Sequence, residues 1–345
     1  MLRLAVAGTG GIAAVHAAAL ACVPGVRLAA AQNDRPESLV RFAARFGVDR
    51  TYLRLDDLLA DGAADALVVC TPNALHAPQA IAALEAGLHV LVEKPMALSA
   101  AEGQAMVEAA ARAGRVLAVA HCWRHDAEAR WLRARLAAGA IGEIVRTRSF
   151  GVHVGWGPGG WFARRELAGG GALVDMGVHA LDTARFLLGD PAPLRVFARV
   201  ERRYGHRTND PGADVDDTGL VVVDWQGGIT SEVACGWWHP HADGPEAATR
   251  LQGTDGYASL FPTLVQRGGT GSATETEDGG FPPRAPHCLP AMYEAQAAAF
   301  VAAVRGETAP VAEGRDALAV QRVLDAAYES SRTGQVVTLA GDQNP

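Results

Sequence analysis

Through the first 120 residues, short apolar runs alternate with Ala-rich stretches of helical spacing. Runs at 2–7, 26–31, 66–70, 88–92 and 116–120 have the length and composition of buried strands. Stretches at 11–22, 36–46, 56–60, 78–86 and 100–113 read as helices. This alternation predicts an α/β domain over 1–120, a doubly wound parallel sheet with helices on both faces. The pattern then changes. Helices are predicted at 127–138 and within the Gly-rich stretch 169–182, whereas two-residue alternation dominates 143–152, 194–204, 218–225 and 229–237, with a weaker case at 247–261. Long strands in succession predict an α+β domain over 121–345, a large, mainly antiparallel sheet with one face covered by helices. Helices at 291–305 and 313–332 and a strand at 335–339 close the chain, the helices packing back towards the first domain. The stretch 268–287, rich in Gly, Thr, Pro and acid, reads as a mobile loop.

Composition adds exclusions. At 345 residues, 49% hydrophobic and 20% charged, the chain has material for two cores. A net charge of −7 argues against nucleic acid or an anionic membrane as partner. No apolar run has bilayer length and the first strand begins without a basic leader, so a cytoplasmic protein is expected. Cys22, Cys70, Cys122, Cys235 and Cys288 are scattered and read as reduced thiols. With 11 histidines present, no His/Asp/Glu cluster has ligand spacing beyond Asp175/His179, and no metal is expected.

Gly8-Thr9-Gly10-Gly11-Ile12-Ala13 follows the first strand and opens the first helix, as G-x-G-x-x-A. Gly8 permits the tight turn, Gly10 the close approach of a pyrophosphate, and the helix start offers N–H groups to its oxygens. Gly8, Gly10, Gly11 and Ile12 are therefore assigned to a dinucleotide. The second strand ends at Asn33-Asp34-Arg35, where an acid usually holds the adenosine ribose. Asn33 does not repel a 2′-phosphate, Arg35 would pair with one, and Asp34 would favour a free ribose. NAD and NADP both stay open, with the balance towards NAD. Thr71, Pro72 and Asn73 end the fourth strand, at the edge where such sheets bind ligands. His76 follows, either at the cofactor or packed under the next helix.

Glu93-Lys94-Pro95 ends the fifth strand at the same edge. An ammonium there would polarise a substrate oxygen and stabilise a developing alkoxide. A cis Lys94–Pro95 bond would aim it into the cleft and is expected here. In 169–182, Asp175, His179 and Asp182 fall at i, i+4 and i+7, on one face if the segment is α-helical. An acid one turn from an imidazole orients the ring and stabilises its charged form. Taken alone, the pair reads as a solvated stripe. The glycines Gly169, Gly170 and Gly171 let a backbone or ligand come close to the helix start.

Together and in this order, these segments resemble the glucose–fructose oxidoreductase/inositol dehydrogenase/MocA (Gfo/Idh/MocA) family. The resemblance also runs through His16, Ala83–Pro95, Gly139-Ala140-Ile141-Gly142-Glu143-Ile144 and Ala326-Ala327-Tyr328-Glu329-Ser330. It implies an N-terminal Rossmann domain, a bound NAD or NADP held in part by Glu93 and Lys94, and a homo-oligomer, dimer or tetramer, paired through the C-terminal sheet. It also implies hydride transfer at a secondary alcohol of a sugar or polyol, inositol-like or aldose-like. Lys94, Asp175 and His179 would be catalytic: His179 takes the hydroxyl proton, Asp175 orients and charges its ring, and Lys94 polarises the oxygen. These three, with His121, Arg124, His153, Trp161 and Arg164, form the expected substrate site, Trp161 foremost because its loop leads into the catalytic helix. Trp156, Trp237, Trp238 and His239 are further candidates, although alternation points only one of the two adjacent tryptophans to a given side. His121-Cys122-Trp123-Arg124-His125 and Asn33 depart from the family pattern, at substrate and cofactor respectively. A non-catalytic dinucleotide sensor and a redox-assisted glycoside hydrolase on the same fold remain alternatives.

Overall fold

The computed structural model describes residues 1–208, 210–241, 246–268, 275–282 and 289–339. The chain divides into two units, Met1–His125 with Leu289–Leu318, and Asp126–Cys288 with Ala319–Pro345.

In the first unit, β1 (Leu2–Ala7), β2 (Val26–Gln32), β3 (Arg50–Tyr52), β4 (Ala66–Val69), β5 (His89–Val92) and β6 (Leu117–Val119) form one sheet in the order β3-β2-β1-β4-β5-β6. All pairs are parallel. Every residue of Leu4–Ala7 and Ala66–Val69 is fully buried, which explains why these strands read as continuous apolar runs. Helices α1 (Gly11–Ala21), α2 (Pro36–Phe46), α3 (Leu55–Ala60), α4 (His76–Glu85) and α5 (Ala100–Ala113) alternate with the strands. At α5, Ser99 Oγ accepts the Glu102 N–H at 3.2 Å and Glu102 accepts the Leu98 N–H at 2.9 Å. Gly114, at φ +61°, ends it. The three-residue β3 is too short and polar for the apolar pattern to reveal, and α4 starts two residues earlier than predicted. The strand order reverses between β1 and β4, so the crevice beyond their carboxyl ends is the ligand position of such sheets.

The second unit begins with α6 (Ala127–Ala137), capped by Asp126, whose carboxylate accepts the Glu128 N–H at 2.9 Å. Its sheet joins β7 (Ile144–His153), β8 (Pro193–Glu201), β9 (Thr218–Trp225), β10 (Thr230–Trp237), β11 (Ala247–Gly253), β12 (Gly256–Leu260), β13 (Leu264–Arg267), β14 (Glu275–Asp278) and β15 (Val337–Thr338). The order is β14-β13-β12-β11-β7-β10-β9-β8-β15, antiparallel except where β7 runs parallel to β10. The weak alternation at 247–261 resolves into two strands, β11 and β12. Within the supposed loop at 268–287, Glu275–Asp278 is the edge strand β14, and 269–274 and 283–287 lie outside the described residues.

The sheet's alternation sets its two faces. Thr147, Ser149, Gly151 and His153 of β7 are buried, and a Cβ on Gly151 would lie 2.4 Å from the Met176 carbonyl oxygen. This face therefore packs on the glycine-rich segment and on α8 (Val178–Leu187), which follows α7 (Arg165–Ala168). Helix α9 (Pro290–Val304) belongs to the first unit, and the unit division falls within α10 (Gly314–Thr333). Among the described residues, no helix is long and apolar enough to cross a membrane.

Candidate active site

Gly8 adopts φ +83°, and a Cβ there would meet the Cys70 carbonyl oxygen at 2.5 Å. Only glycine fits this crossing of the β1 and β4 ends. Gly10 and Gly11 are the reverse: a Cβ on either meets nothing within 4 Å. Helix α1 has no side-chain cap, so its first N–H groups face this open space. Uncapped donors and bare glycines fit a dinucleotide's pyrophosphate. Asn33 donates from Nδ2 to Thr9 Oγ1 and accepts the Arg35 N–H at 3.2 Å, while Thr9 Oγ1 lies 2.9 Å from Ser38 Oγ. The glycine turn is thus fastened to the end of β2, with Asp34 and Arg35 exposed beside it. Thr71 Oγ1 bonds Gln79 at 2.8 Å, and Asn73 is buried.

The Lys94–Pro95 peptide is cis, as expected. Both sides of it are held. Glu93 accepts the Lys94 N–H at 3.1 Å, and its other oxygen lies 2.6 Å from His16 Nε2, on α1. Burial alone would raise the Glu93 carboxyl. The His16 bond and the charges of His16, Lys94 and His76 outweigh it and hold the group below the usual carboxylate range. His76 is fully buried, with Nδ1 2.8 Å from the Pro95 carbonyl and Nε2 2.9 Å from that of Thr71. Burial pushes its imidazole below the ordinary value, against the pull of those carbonyls and Glu93. Glu93 and His76 thus hold the backbone on both sides of Lys94 from within the first unit.

In the second unit, Leu173–Gly177 is a π-helical turn, not the α-helix assumed from the spacing, and it runs into α8. Such turns concentrate at functional sites. Asp175 lies in the π turn and His179 in the first turn of α8, and both are largely buried. Asp175 Oδ2 accepts the Trp237 indole N–H at 3.0 Å and lies 3.4 Å from His153 Nε2. Of the adjacent tryptophans, Trp237 is thus the one aimed at the carboxylate. Asp182 is fully buried a turn beyond His179.

Asp216 holds the start of this segment. Its Oδ1 accepts the Gly171 N–H at 2.7 Å and the Tyr328 hydroxyl at 2.7 Å, and its Oδ2 accepts the Leu173 N–H at 2.9 Å. Burial pushes the carboxyl up, opposed by those bonds. Sequence reasoning missed Asp216. The signal was Asp214-Val215-Asp216-Asp217, a run of acids entering an apolar strand. Glu246 was also missed: it lies 3.6 Å from His153 Nδ1 and accepts the Val154 N–H at 3.0 Å.

The remaining substrate candidates separate. His121 and Arg124, in the first unit, are buried, with Arg124 Nη1 3.9 Å from Asp316. Arg164 spends both terminal nitrogens on Asp210, at 2.9 and 2.8 Å, so it pins the loop that carries Trp161. Trp161 stacks on Phe162 with centroids 3.8 Å apart, and the half-exposed Trp156 stacks on His153 at 3.8 Å. Trp238 packs against Gly157, where a Cβ would lie 2.7 Å from its ring. Burial lowers the His239 imidazole, with the charge of His241 acting in the same direction.

A parallel sheet with an open glycine turn at its switch point, and a second unit carrying a buried acid–imidazole turn, define a dinucleotide-dependent oxidoreductase. The chain belongs to the Gfo/Idh/MocA family. Residues 2–121 match that oxidoreductase family's NAD-binding Rossmann fold, and residues 129–259 match its C-terminal domain. The chain is 32% identical to a 1,5-anhydro-D-fructose reductase of Ensifer adhaerens over 302 residues, 86% of each protein. It is 28% identical to a D-glucoside 3-dehydrogenase of Escherichia coli strain K12, over 98% of this chain and 97% of that one. Among solved structures, an aldose-aldose oxidoreductase from Caulobacter crescentus complexed with glycerol superposes with a TM-score of 0.80. It is 28% identical, over 98% of this chain and 99% of the other.

Proposed function

We propose that the protein is an NAD(P)-dependent dehydrogenase or reductase acting at a secondary alcohol of a monosaccharide or close derivative. The observation that carries this reading is the π turn that sets Asp175 between an indole N–H and an imidazole, four residues before His179. A nucleotide sensor has no chemical need for that arrangement. The named relatives support a sugar over a cyclic polyol. Bound nicotinamide would supply the hydride acceptor or donor. His179 takes the hydroxyl proton, Asp175 orients and charge-stabilises its ring, and Lys94, backed by Glu93 and His76, polarises the oxygen. NAD is the proposed cofactor, with Arg35 the residue that would tolerate NADP.

The protein also associates with copies of itself through the sheet face opposite α8. Phe197 and Leu220 lie on that face, 40% and 48% exposed, with Val222, Ala234 and Phe150 in the same rows. The test of the reaction is incubation with D-glucose, methyl glucosides, D-xylose and myo-inositol plus NAD or NADP, following reduced nicotinamide. Turnover abolished by Lys94→Ala and by His179→Ala is expected. Unchanged turnover in either variant sinks that residue's role.

A further inference from the structure

Oxidation of an alcohol leaves a proton inside the protein. In a site as buried as that of Asp175 and His179, the proton needs a route to water. His153 occupies such a route. Its Nε2 lies 3.4 Å from Asp175 Oδ2 and its Nδ1 3.6 Å from Glu246 Oε2. The His153 side chain is 5% exposed and that of Asp175 11%, whereas that of Glu246 reaches 24%. Exposure therefore increases at the end of the line away from the π turn.

The geometry is held at each point. Trp156 stacks on the His153 ring with planes 25° apart, fixing its plane. Glu246 is tied to the β7 end by two backbone bonds: its carboxylate accepts the Val154 N–H at 3.0 Å, and its carbonyl accepts the Val152 N–H at 2.8 Å. The Trp237 N–H on Asp175 Oδ2 fixes the inner carboxylate. An imidazole between two carboxylates, one inner and one facing water, has the form of a proton shuttle. Such contacts are commonly long without substrate and tighten with it.

We propose that Asp175, His153 and Glu246 form the proton exit of this enzyme. The inference rests on the reading of Asp175 and His179 as the proton-handling pair. The alcohol proton passes from His179 to the Asp175 carboxylate and then to His153 Nε2. His153 releases the proton on Nδ1 to the Glu246 carboxylate, which yields it to water. The relay moves only a proton, because the oxidised nicotinamide dinucleotide would take up the hydride with its two electrons and leave in its reduced form. In the reductive direction the same line delivers a proton. His153 and Glu246 act through Asp175 and need not touch substrate.

External buffer separates a relay from a structural role. His153→Gln and the isosteric Glu246→Gln are compared with wild type on the panel sugar that turns over fastest. The assay holds pH and ionic strength constant while imidazole is raised from a dilute buffer. Wild type is expected to be indifferent to imidazole. Each variant is expected to lose about tenfold or more in kcat with little change in KM, and to recover severalfold as imidazole takes over the transfer. Wild-type-like rates in both variants, or losses that imidazole does not restore in protein that melts normally, overturn the relay. Failure of the parent reading looks different: wild-type turnover then survives His179→Ala.

Discussion

Replacing Gly171 with alanine tests whether the glycine run serves the chain's own backbone. A Cβ at this position would lie 1.8 Å from the Asp216 carbonyl oxygen, 2.8 Å from its carbon and 3.0 Å from Val215 Cγ2. Real Cβ contacts essentially never fall under 3.0 Å, so the two backbones must part by about 1.2 Å at the closest pair. That displacement also pulls on three bonds to Asp216: the Ala172 N–H on its carbonyl at 3.0 Å, and the Gly171 and Leu173 N–H groups on its carboxylate. Overpacking of this kind costs about 1–3 kcal/mol. Weakening the buried carboxylate's bonds adds about 1–3 kcal/mol. For a unit of this size, about 2–4 °C of Tm is lost per kcal/mol, so a drop of roughly 5–20 °C is expected. Turnover should fall as well, since the Gly171 carbonyl accepts the Asp175 N–H at 3.0 Å. Gly159→Ala is the control: its φ of −124° suits any residue and a Cβ there meets nothing within 4 Å. It should stay within about 0.5 kcal/mol of wild type. Calorimetric scans in which the two variants melt within about 2 °C of each other would refute the argument.

Three further outcomes follow from the structure. Because burial holds the His76 imidazole low, the folded chain keeps it neutral while the unfolded chain takes up a proton as pH falls through about 6.5. Its contribution to stability is full above that value and lost below it, so His76→Gln should flatten the dependence of Tm on pH between about 7 and 5. The depressed Glu93 carboxyl acts in a lower window, its stabilisation being present above the unfolded carboxylate value and lost as pH falls through the folded one. At the cofactor rim, Arg35→Ala should weaken NADP more than NAD in equilibrium titration, and Asn33→Asp should weaken NADP about tenfold by charge repulsion; equal effects on both nucleotides would remove the pair from specificity. Glutamates at Phe197 and Leu220 should lower the assembly state measured by sedimentation without lowering the Tm by more than about 1–2 kcal/mol equivalent.

What the sequence made legible was local and periodic. The G-x-G-x-x-A turn needed only a strand before it and a helix after it, and Gly8 met both conditions within 13 residues. The strands of the parallel sheet were readable because both their faces are buried, which turns each into an apolar run. Lys94 and the Asp175/His179 spacing were also visible, but what supports them was not. His16 and Glu93 meet across 77 residues, Gly171 and Asp216 across 45. His153 and Glu246 meet because β7 pairs with β11. No periodicity within one segment carries such pairings.

The glycine run and the π turn show how such distant contacts change the meaning of a local motif. From the sequence, three glycines before an acid–imidazole pair left open whether a ligand or a backbone approaches them. Gly170 and Gly171 are filled from within the unit, by the Tyr328 hydroxyl and the Asp216 carbonyl, each 1.8 Å from where a Cβ would stand. Gly10 and Gly11, in a similar-looking run, have nothing within 4 Å. Glycine content is therefore equal evidence for a ligand and for close packing until the neighbour is known. Where the neighbour is protein, the run fixes the turn that bears Asp175. Where there is none, it leaves room for the dinucleotide. The widened turn belongs to the first case. Asp216 anchors the N–H groups of Gly171 and Leu173, and Trp237 and His153 reach Asp175 from adjoining strand ends. The register that presents the acid is thus imposed by packing from outside the segment, which is why α-helical spacing alone described it incompletely.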